Sequence, residues 1–206
     1  IWGGTWPSAK AIAEVAAPEV NVFWRFLLTS VAFVPILLAT RSSLRVGWRG
    51  LALTAAAAAL LVGYNLAFFG GLRLGLAGVG GELVPTLSPV LTALLGLAFR
   101  RRGHAGSAGG PGGAGATGGA VRPGLRPLQV VGVALGFVGG MVILQVWRIS
   151  GSDLLRSGNA LFLAAALAWA GITLLSARAQ EHMSFLPFSF LMYALAALFD
   201  LPVALT

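Results

Sequence analysis

The sequence predicts an all-α membrane protein, a polytopic helical bundle of about seven spans, of which the first is partial. Of the 206 residues, 57% are hydrophobic and only 10% are charged, whereas roughly a quarter of the residues in a soluble domain are charged. The apolar runs are long, and short segments rich in arginine or glycine separate them. Because those runs hold no polar residues that could face water, lipid must surround them.

The first two elements are an incomplete span and a full one. A spanning helix needs about 20 mainly apolar residues, and residues 1–15 supply only part of that length before Pro18 and Glu19 end the run. The second span covers residues 22–40. A charged loop follows, with basic side chains at Arg41, Arg45 and Arg49.

The third and fourth spans form one continuous apolar stretch. Residues 51–99 contain only two charged side chains, Arg73 and Glu82, and are more than twice as long as one crossing requires. The chain must therefore reverse inside the stretch. Because glycine tolerates turn geometry, the glycines of this region place the third span before Leu74 and the fourth after Leu76.

The remaining elements are a linker and three further spans. Residues 103–124 are mostly Gly, Ala, Ser and Pro and cannot bury enough apolar surface to offset the entropy of ordering, which predicts a flexible linker. The fifth span covers residues 128–147, the sixth residues 159–177 and the seventh residues 185–206. The chain opens on Ile1 rather than Met and ends inside an apolar run, so we expect a piece of a longer protein.

The distribution of basic residues predicts the orientation in the membrane. The loops after the second, fourth and sixth spans hold nine arginines, and the opposite side holds four basic residues, Lys10, Arg73, Arg148 and Arg156. Cytoplasmic loops are enriched in lysine and arginine. The linker is therefore predicted to lie in the cytoplasm.

Composition also argues against several classes of function. The net charge of +8 comes from basic residues between apolar runs and forms no continuous basic face, so we expect no nucleic-acid partner. The chain has no cysteine, and its two histidines, His104 and His182, lie outside the predicted spans. Because a nucleophile needs a base in reach, we expect no enzyme activity, and we also expect no cofactor and no bound metal.

Three ionisable residues lie inside predicted spans, where a charge costs at least about 2.5 kcal/mol. Arg25 and Glu82 lie at similar depth near the outer ends of the second and fourth spans, which permits an ion pair there. The alternatives are that Arg25 extends to the interface and that Glu82 forms a structural pair or faces a hydrated turn. Asp200 lies deep in the seventh span, and the sequence assigns it no role.

Two polar residues at mid-depth are further candidates for a substrate site. Tyr64 and Asn65 lie in the middle of the third span, where an amide must find a partner. A hydrogen bond between helices is the alternative to a role in substrate binding.

A weak internal repeat relates the two ends of the chain. Trp2-Gly3-Gly4 recurs 167 residues later as Trp169-Ala170-Gly171, and Pro18 recurs 169 residues later as Pro187. Five spans separate the copies, and an odd number inverts the second copy relative to the first, as in many secondary transporters. The repeat adds Trp2 and Trp169 as candidates for lining a central cavity, although membrane tryptophans also simply pack or lie at interfaces.

Several segments carry a family resemblance. They are Ile1-Trp2-Gly3-Gly4 with Lys10 and Pro18, then Trp24-Arg25-Phe26, residues 71–78, Leu87-Ser88-Pro89, residues 92–95 and residues 158–178. Together they resemble the first repeat and the opening of the second repeat of the drug/metabolite transporter superfamily, EamA type. The resemblance covers nearly the whole chain outside the glycine-rich linker.

The resemblance implies ten helices in two inverted repeats of five. Residues 1–147 would be the first repeat, with the linker 103–124 inside it, and residues 158–206 the start of the second. The implied candidate positions for binding substrate, together with those found above, are Trp2, Arg25, Tyr64, Asn65, Glu82 and Trp169.

The resemblance also implies a function. It indicates a secondary transporter that exports small metabolites or drugs by alternating access, as a multi-pass protein of a bacterial plasma (inner) membrane. The expected partners are a small-molecule substrate, the lipid bilayer and a proton as coupling ion, and a homodimer is one allowed assembly. A membrane channel or a non-transporting scaffold is the alternative.

Overall fold

The computed structural model describes residues 2–75, 77–100, 127–143 and 158–205. These residues form seven α-helices and no strand, which confirms the predicted all-α class. In chain order the helices are α1 Trp2–Val15, α2 Pro18–Thr40, α3 Trp48–Leu74, α4 Ala77–Arg100, α5 Pro127–Ile143, α6 Asn159–Ala179 and α7 Phe185–Ala204.

Five of the described helices, α2, α3, α4, α6 and α7, are long and apolar enough to cross a membrane. Helix α1 has 14 residues, in agreement with a partial first span. Helix α5 has 17 residues, fewer than the predicted span 128–147, and the last four residues of that span lie outside the described residues. The predicted linker 103–124 also lies outside them. The prediction of a polytopic helical membrane protein is confirmed.

Most helix boundaries fall close to the predicted ones. Helix α3 ends at Leu74 and α4 begins at Ala77, which confirms the reversal at the glycine-rich turn. Helix α2 begins at Pro18, four residues before the predicted start, because the fixed φ of proline suits the first helical position. Arg49, predicted in the charged loop, lies instead in the first turn of α3.

Buried hydroxyl groups satisfy their hydrogen bonds inside their own helices. Ser30, Thr54 and Ser88 are buried and donate to the carbonyl four residues earlier at 2.8, 2.8 and 2.6 Å. An unsatisfied polar group is costly in a hydrocarbon environment. Such internal bonding lets polar residues occur in apolar helices without partners on neighbouring helices.

Helix α3 lies at the centre of the bundle, where it packs mainly against α6 and α7. Helix α4 packs on the other side of α6, and α2 packs on α7. Phe162 of α6 is 0% exposed and its ring lies against Gly71 of α3 and Gly80 of α4. A Cβ atom at either glycine would lie only 2.7 or 2.6 Å from that ring. The two glycines therefore make room for Phe162 at the junction of the three helices.

Lys10 of α1 contacts the end of α3. The Lys10 ammonium donates hydrogen bonds to the backbone carbonyls of Leu72 and Gly75, the second at 3.2 Å, and it forms an ion pair with Glu14 at 3.5 Å. The last carbonyls of a helix have no partner within the helix. Lys10 satisfies two carbonyls at this end and so fixes the position of α1 beside α3.

Candidate functional site

A cavity of about 350 Å³ lies among the described helices α1, α2, α3, α6 and α7. Its volume falls in the range of small-molecule sites, about 300 to 1,000 Å³. All five helices contribute side chains to its wall, which consists of Trp6, Arg25, Phe26, Thr29, Leu61, Tyr64, Asn65, Phe68, Trp169 and Tyr193.

Aromatic rings form most of the cavity wall. On one side Trp6 and Phe68 have ring centroids 4.8 Å apart. Tyr64 connects this pair to α6, because its ring lies 5.9 Å from Phe68 and 5.0 Å from Trp169. On the other side Phe26 of α2 and the ring of Tyr193 on α7 are 6.1 Å apart. Flat faces of this kind suit an apolar, planar ligand.

Asn65 contributes a buried amide side chain to the cavity wall. Its side chain is 2% exposed, and its amide nitrogen donates to the Leu61 carbonyl in the same helix at 2.9 Å. This amide nitrogen therefore does not form the hydrogen bond between helices that was the alternative to substrate binding in the sequence analysis. The amide oxygen of Asn65 has no hydrogen-bond partner among the described residues. Because a buried acceptor without a partner costs about 1–3 kcal/mol, this oxygen is suited to receive a donor from a ligand.

Arg25 supplies the positive charge of the cavity wall. Its side chain is exposed and lines the same cavity as the side chain of Tyr64. The hydroxyl of Thr29 donates to the Arg25 carbonyl at 2.6 Å. Among the described side chains, no carboxylate forms an ion pair with Arg25. A guanidinium in this position can bind a carboxylate or another oxyanion.

The structure brings together four of the six candidate residues from the sequence. Arg25, Tyr64, Asn65 and Trp169 line the same cavity, and their role in binding stays a prediction. The structure describes the helices that carry Trp2 and Glu82 but not these two side chains, so it does not describe the predicted Arg25–Glu82 pair. That pair also stays a prediction.

Several cavity residues had no signal in the sequence analysis. Trp6 lies one turn after Trp2 on α1, and Phe68 lies one turn after Tyr64 on α3. The helical period of 3.6 residues could have found both. Tyr193 has no such neighbour, and only the packing of α7 on α2 reveals its position.

Comparison with known proteins identifies the chain at the level of a family. No curated protein and no solved structure gives a significant match to it. A sequence model described as the EamA-like transporter family matches residues 1–103, which is half of the 206 residues. The match spans α1 to α4, and α1, α2 and α3 supply eight of the ten residues that line the cavity. The chain therefore belongs to the EamA-like transporter family, a family of membrane transporters.

Proposed function

We propose that this protein is a secondary transporter that exports small metabolites or drugs across a bacterial plasma membrane by alternating access. The observation that carries the proposal is the cavity itself, which combines Arg25, aromatic rings from several helices and the oxygen of Asn65, which has no hydrogen-bond partner among the described residues. Ligand sites usually have this composition, in which an apolar wall holds a few converging polar groups.

The position of the cavity suits alternating access. In the proposed architecture, residues 1–147 belong to the first inverted repeat and the chain from residue 158 belongs to the second. The cavity lies between α1, α2 and α3 of the first and α6 and α7 of the second. Transporters built from inverted repeats bind substrate at the interface between the repeats, and rocking of one against the other exposes the site to each side in turn.

The lining also favours a class of substrate. Aromatic faces favour a flat ring, Arg25 favours a carboxylate, and the oxygen of Asn65 favours a hydroxyl or amine donor. We therefore infer that the substrate is a small aromatic carboxylate that carries a hydrogen-bond donor. Cation–π and stacking contacts add to the attraction.

Binding measurements on variants test this assignment. Asn65→Leu removes the acceptor at similar volume and should weaken binding of an aromatic carboxylate with a donor group roughly 2- to 10-fold, the worth of one hydrogen bond. The same variant should bind the analogue without the donor as tightly as the native protein does. Arg25→Gln should weaken both ligands roughly 10- to 100-fold, because hydrogen bonds to a charged group are stronger. Quenching of tryptophan fluorescence measures each affinity.

A matched control and a flux measurement complete the test. Arg73→Gln changes an exposed arginine at the end of α3 that does not line the cavity, so it should leave both affinities unchanged. Saturable uptake by the full-length protein in proteoliposomes supports a carrier. Flux that never saturates indicates a channel, and the absence of both flux and binding indicates a scaffold.

A further inference from the structure

A second polar cluster lies where the first turns of α2 pack against the last turns of α7. Asp200 on α7 is 0% exposed, and neither of its carboxylate oxygens has a hydrogen-bond partner among the described residues. On α2, one carboxylate oxygen of Glu19 and the amide nitrogen of Asn21 are buried and, within the same described part of the chain, also lack a partner. Buried polar groups are nearly always paired, so these groups are suited to hold a proton or an ion.

The packing of α2 on α7 brings these residues to a similar depth. The ring of Tyr193 lies 6.1 Å from the rings of both Phe26 and Phe33, so Tyr193 is level with the turn between them. Asp200 lies two turns further along α7, about 10 Å at 1.5 Å per residue. Because the predicted second and seventh spans run in opposite directions, this distance leads back to the first turns of α2, and Glu19 lies in the first of these turns.

Among the described residues, no lysine or arginine forms an ion pair with Glu19 or Asp200. Helix α7 packs against α2 and α3, whose other charged residues are Arg25 at the cavity and Arg49 and Arg73 near the two ends of α3. Helix α1 also packs against α2, and its Lys10 pairs with Glu14. Two carboxylates held close together away from water do not both stay ionised, and they commonly share one proton.

We propose that Asp200 and Glu19 form a proton-binding site and that this proton is the coupling ion of transport. The inference rests on the proposed transporter function, since a coupling ion requires transport to drive. In the bound state one carboxylic acid donates its proton in a hydrogen bond to the other carboxylate. The Asn21 amide, two residues from Glu19 and a donor without a partner among the described residues, would stabilise the remaining negative charge.

The same two helices connect this site to the cavity. Phe26 on α2 and Tyr193 on α7 line the cavity, and the proton site lies about two turns away from them along each helix. When α2 and α7 are apart, water reaches the two carboxylates, and the pair takes up a proton from that side, which removes their mutual repulsion and favours closure. After the cavity opens to the opposite side, water in the cavity accepts the proton, so that one proton crosses the membrane in each cycle. In the predicted orientation the side of proton uptake faces the cell exterior.

Infrared spectroscopy of the chain in lipid bilayers tests the proposal directly, because a protonated carboxyl group has its own carbonyl stretching band. The chain has only six acidic residues, so the band can be assigned. We expect a band in the native protein that disappears as pH rises and that is absent in Asp200→Asn. In Glu19→Gln the band should remain but titrate at lower pH, because the second carboxylate no longer repels the ionised form. Glu181→Gln, a change at an exposed position beyond α6, is the control and should leave the band unchanged.

Ligand binding and transport on the same variants separate the two proposals. Asp200→Asn should bind an aromatic carboxylate as the native protein does, and the full-length variant should exchange substrate without responding to a pH gradient. A titrating band that depends on Asp200 in a protein that binds no ligand leaves the proton site standing and refutes the proposed function. An unchanged band in Asp200→Asn refutes the proton site. A third outcome also refutes the proton site: sodium stabilises the native protein against unfolding but not Asp200→Asn, and no protonated-acid band is seen. The occupant would then be a metal cation.

Discussion

Adding one methyl group at Gly80 tests how closely the bundle and the cavity depend on each other. A Cβ atom there would lie 2.6 Å from two ring atoms of Phe162 and 2.8 Å from a ring atom of Trp6. Both distances are far shorter than a van der Waals contact, about 3.5 to 4 Å between carbon atoms. Phe162 is 0% exposed, so its ring has no free space into which to move, and the Trp6 ring can move only into the cavity that it lines. Gly80→Ala must therefore displace α4 or both rings.

The size of the effect follows from two opposing contributions. Replacing glycine by alanine in a helix stabilises it by about 0.5–1 kcal/mol, whereas overpacking a tight interior costs typically about 1–3 kcal/mol. Gly63 in α3 provides the control, because a Cβ atom there meets nothing within 4 Å. Since both variants share the helix contribution, we expect Gly80→Ala to be less stable than Gly63→Ala by about 1–3 kcal/mol.

Reversible unfolding of the chain in detergent, followed by tryptophan fluorescence, measures this difference. Ligand affinity should fall as well, because Trp6 forms part of the cavity wall. Gly71→Ala acts on the same ring, at 2.7 Å, and should lower stability in the same way. Adding Phe162→Leu to Gly80→Ala should recover part of the loss, since the smaller side chain vacates the site of the clash. Equal stability of Gly80→Ala and Gly63→Ala would refute the packing described for α3, α4 and α6.

Three further predictions concern other parts of the chain. Lys10→Met should lower stability by about 0.5–1.5 kcal/mol for each hydrogen bond that it loses to the end of α3. Glu14→Gln removes only a mostly exposed ion pair and should change stability little. Unfolding measurements that rank the two variants in the opposite order would contradict this prediction. Arg25→Gln and Glu82→Gln should each reduce transport, and the double variant should be less impaired than the two losses added together. Fully additive losses in uptake would exclude the predicted ion pair. A cysteine placed at Ser107 in this cysteine-free chain should resist an impermeant thiol reagent in whole cells, and rapid labelling from outside would reverse the orientation.

The positions of the helices were predictable because the membrane imposes a simple length rule. A span needs about 20 apolar residues, and long apolar runs with clear breaks satisfy that rule along most of the chain. The errors occurred at the ends, where Pro18 begins α2 early and Arg49 lies in the first turn of α3. At helix ends local backbone preference decides the boundary, and hydrophobicity carries little information about it.

The packing of the helices was much harder to predict from the sequence. Along α3 nearly every residue is apolar or small, so no amphipathic stripe marks which side faces lipid and which faces protein. Polar residues were the exception, because Asn65 and Arg25 are too costly to leave among lipid chains. They consequently pointed to the cavity, while an aromatic residue such as Tyr193 could not be distinguished by sequence from lipid-facing ones.

The contact between Phe26 and Tyr193 bears on the proposed inverted repeats. Tyr193 lies 167 residues after Phe26, the same offset that relates Trp2 to Trp169 and the start of α2 to the start of α7. Equivalent residues of two repeats touch each other when the twofold axis between the repeats passes close to both, and these two rings are 6.1 Å apart. By the same offset, the counterpart of Phe33 is Asp200. Phe33 of the first proposed repeat stacks on Tyr193 of the second, whereas Asp200, at the position equivalent to Phe33, is a buried carboxyl group without a partner among the described residues. The repeats therefore differ in chemistry close to their proposed axis, and a proton bound there would act on one side of the transporter and not on the other.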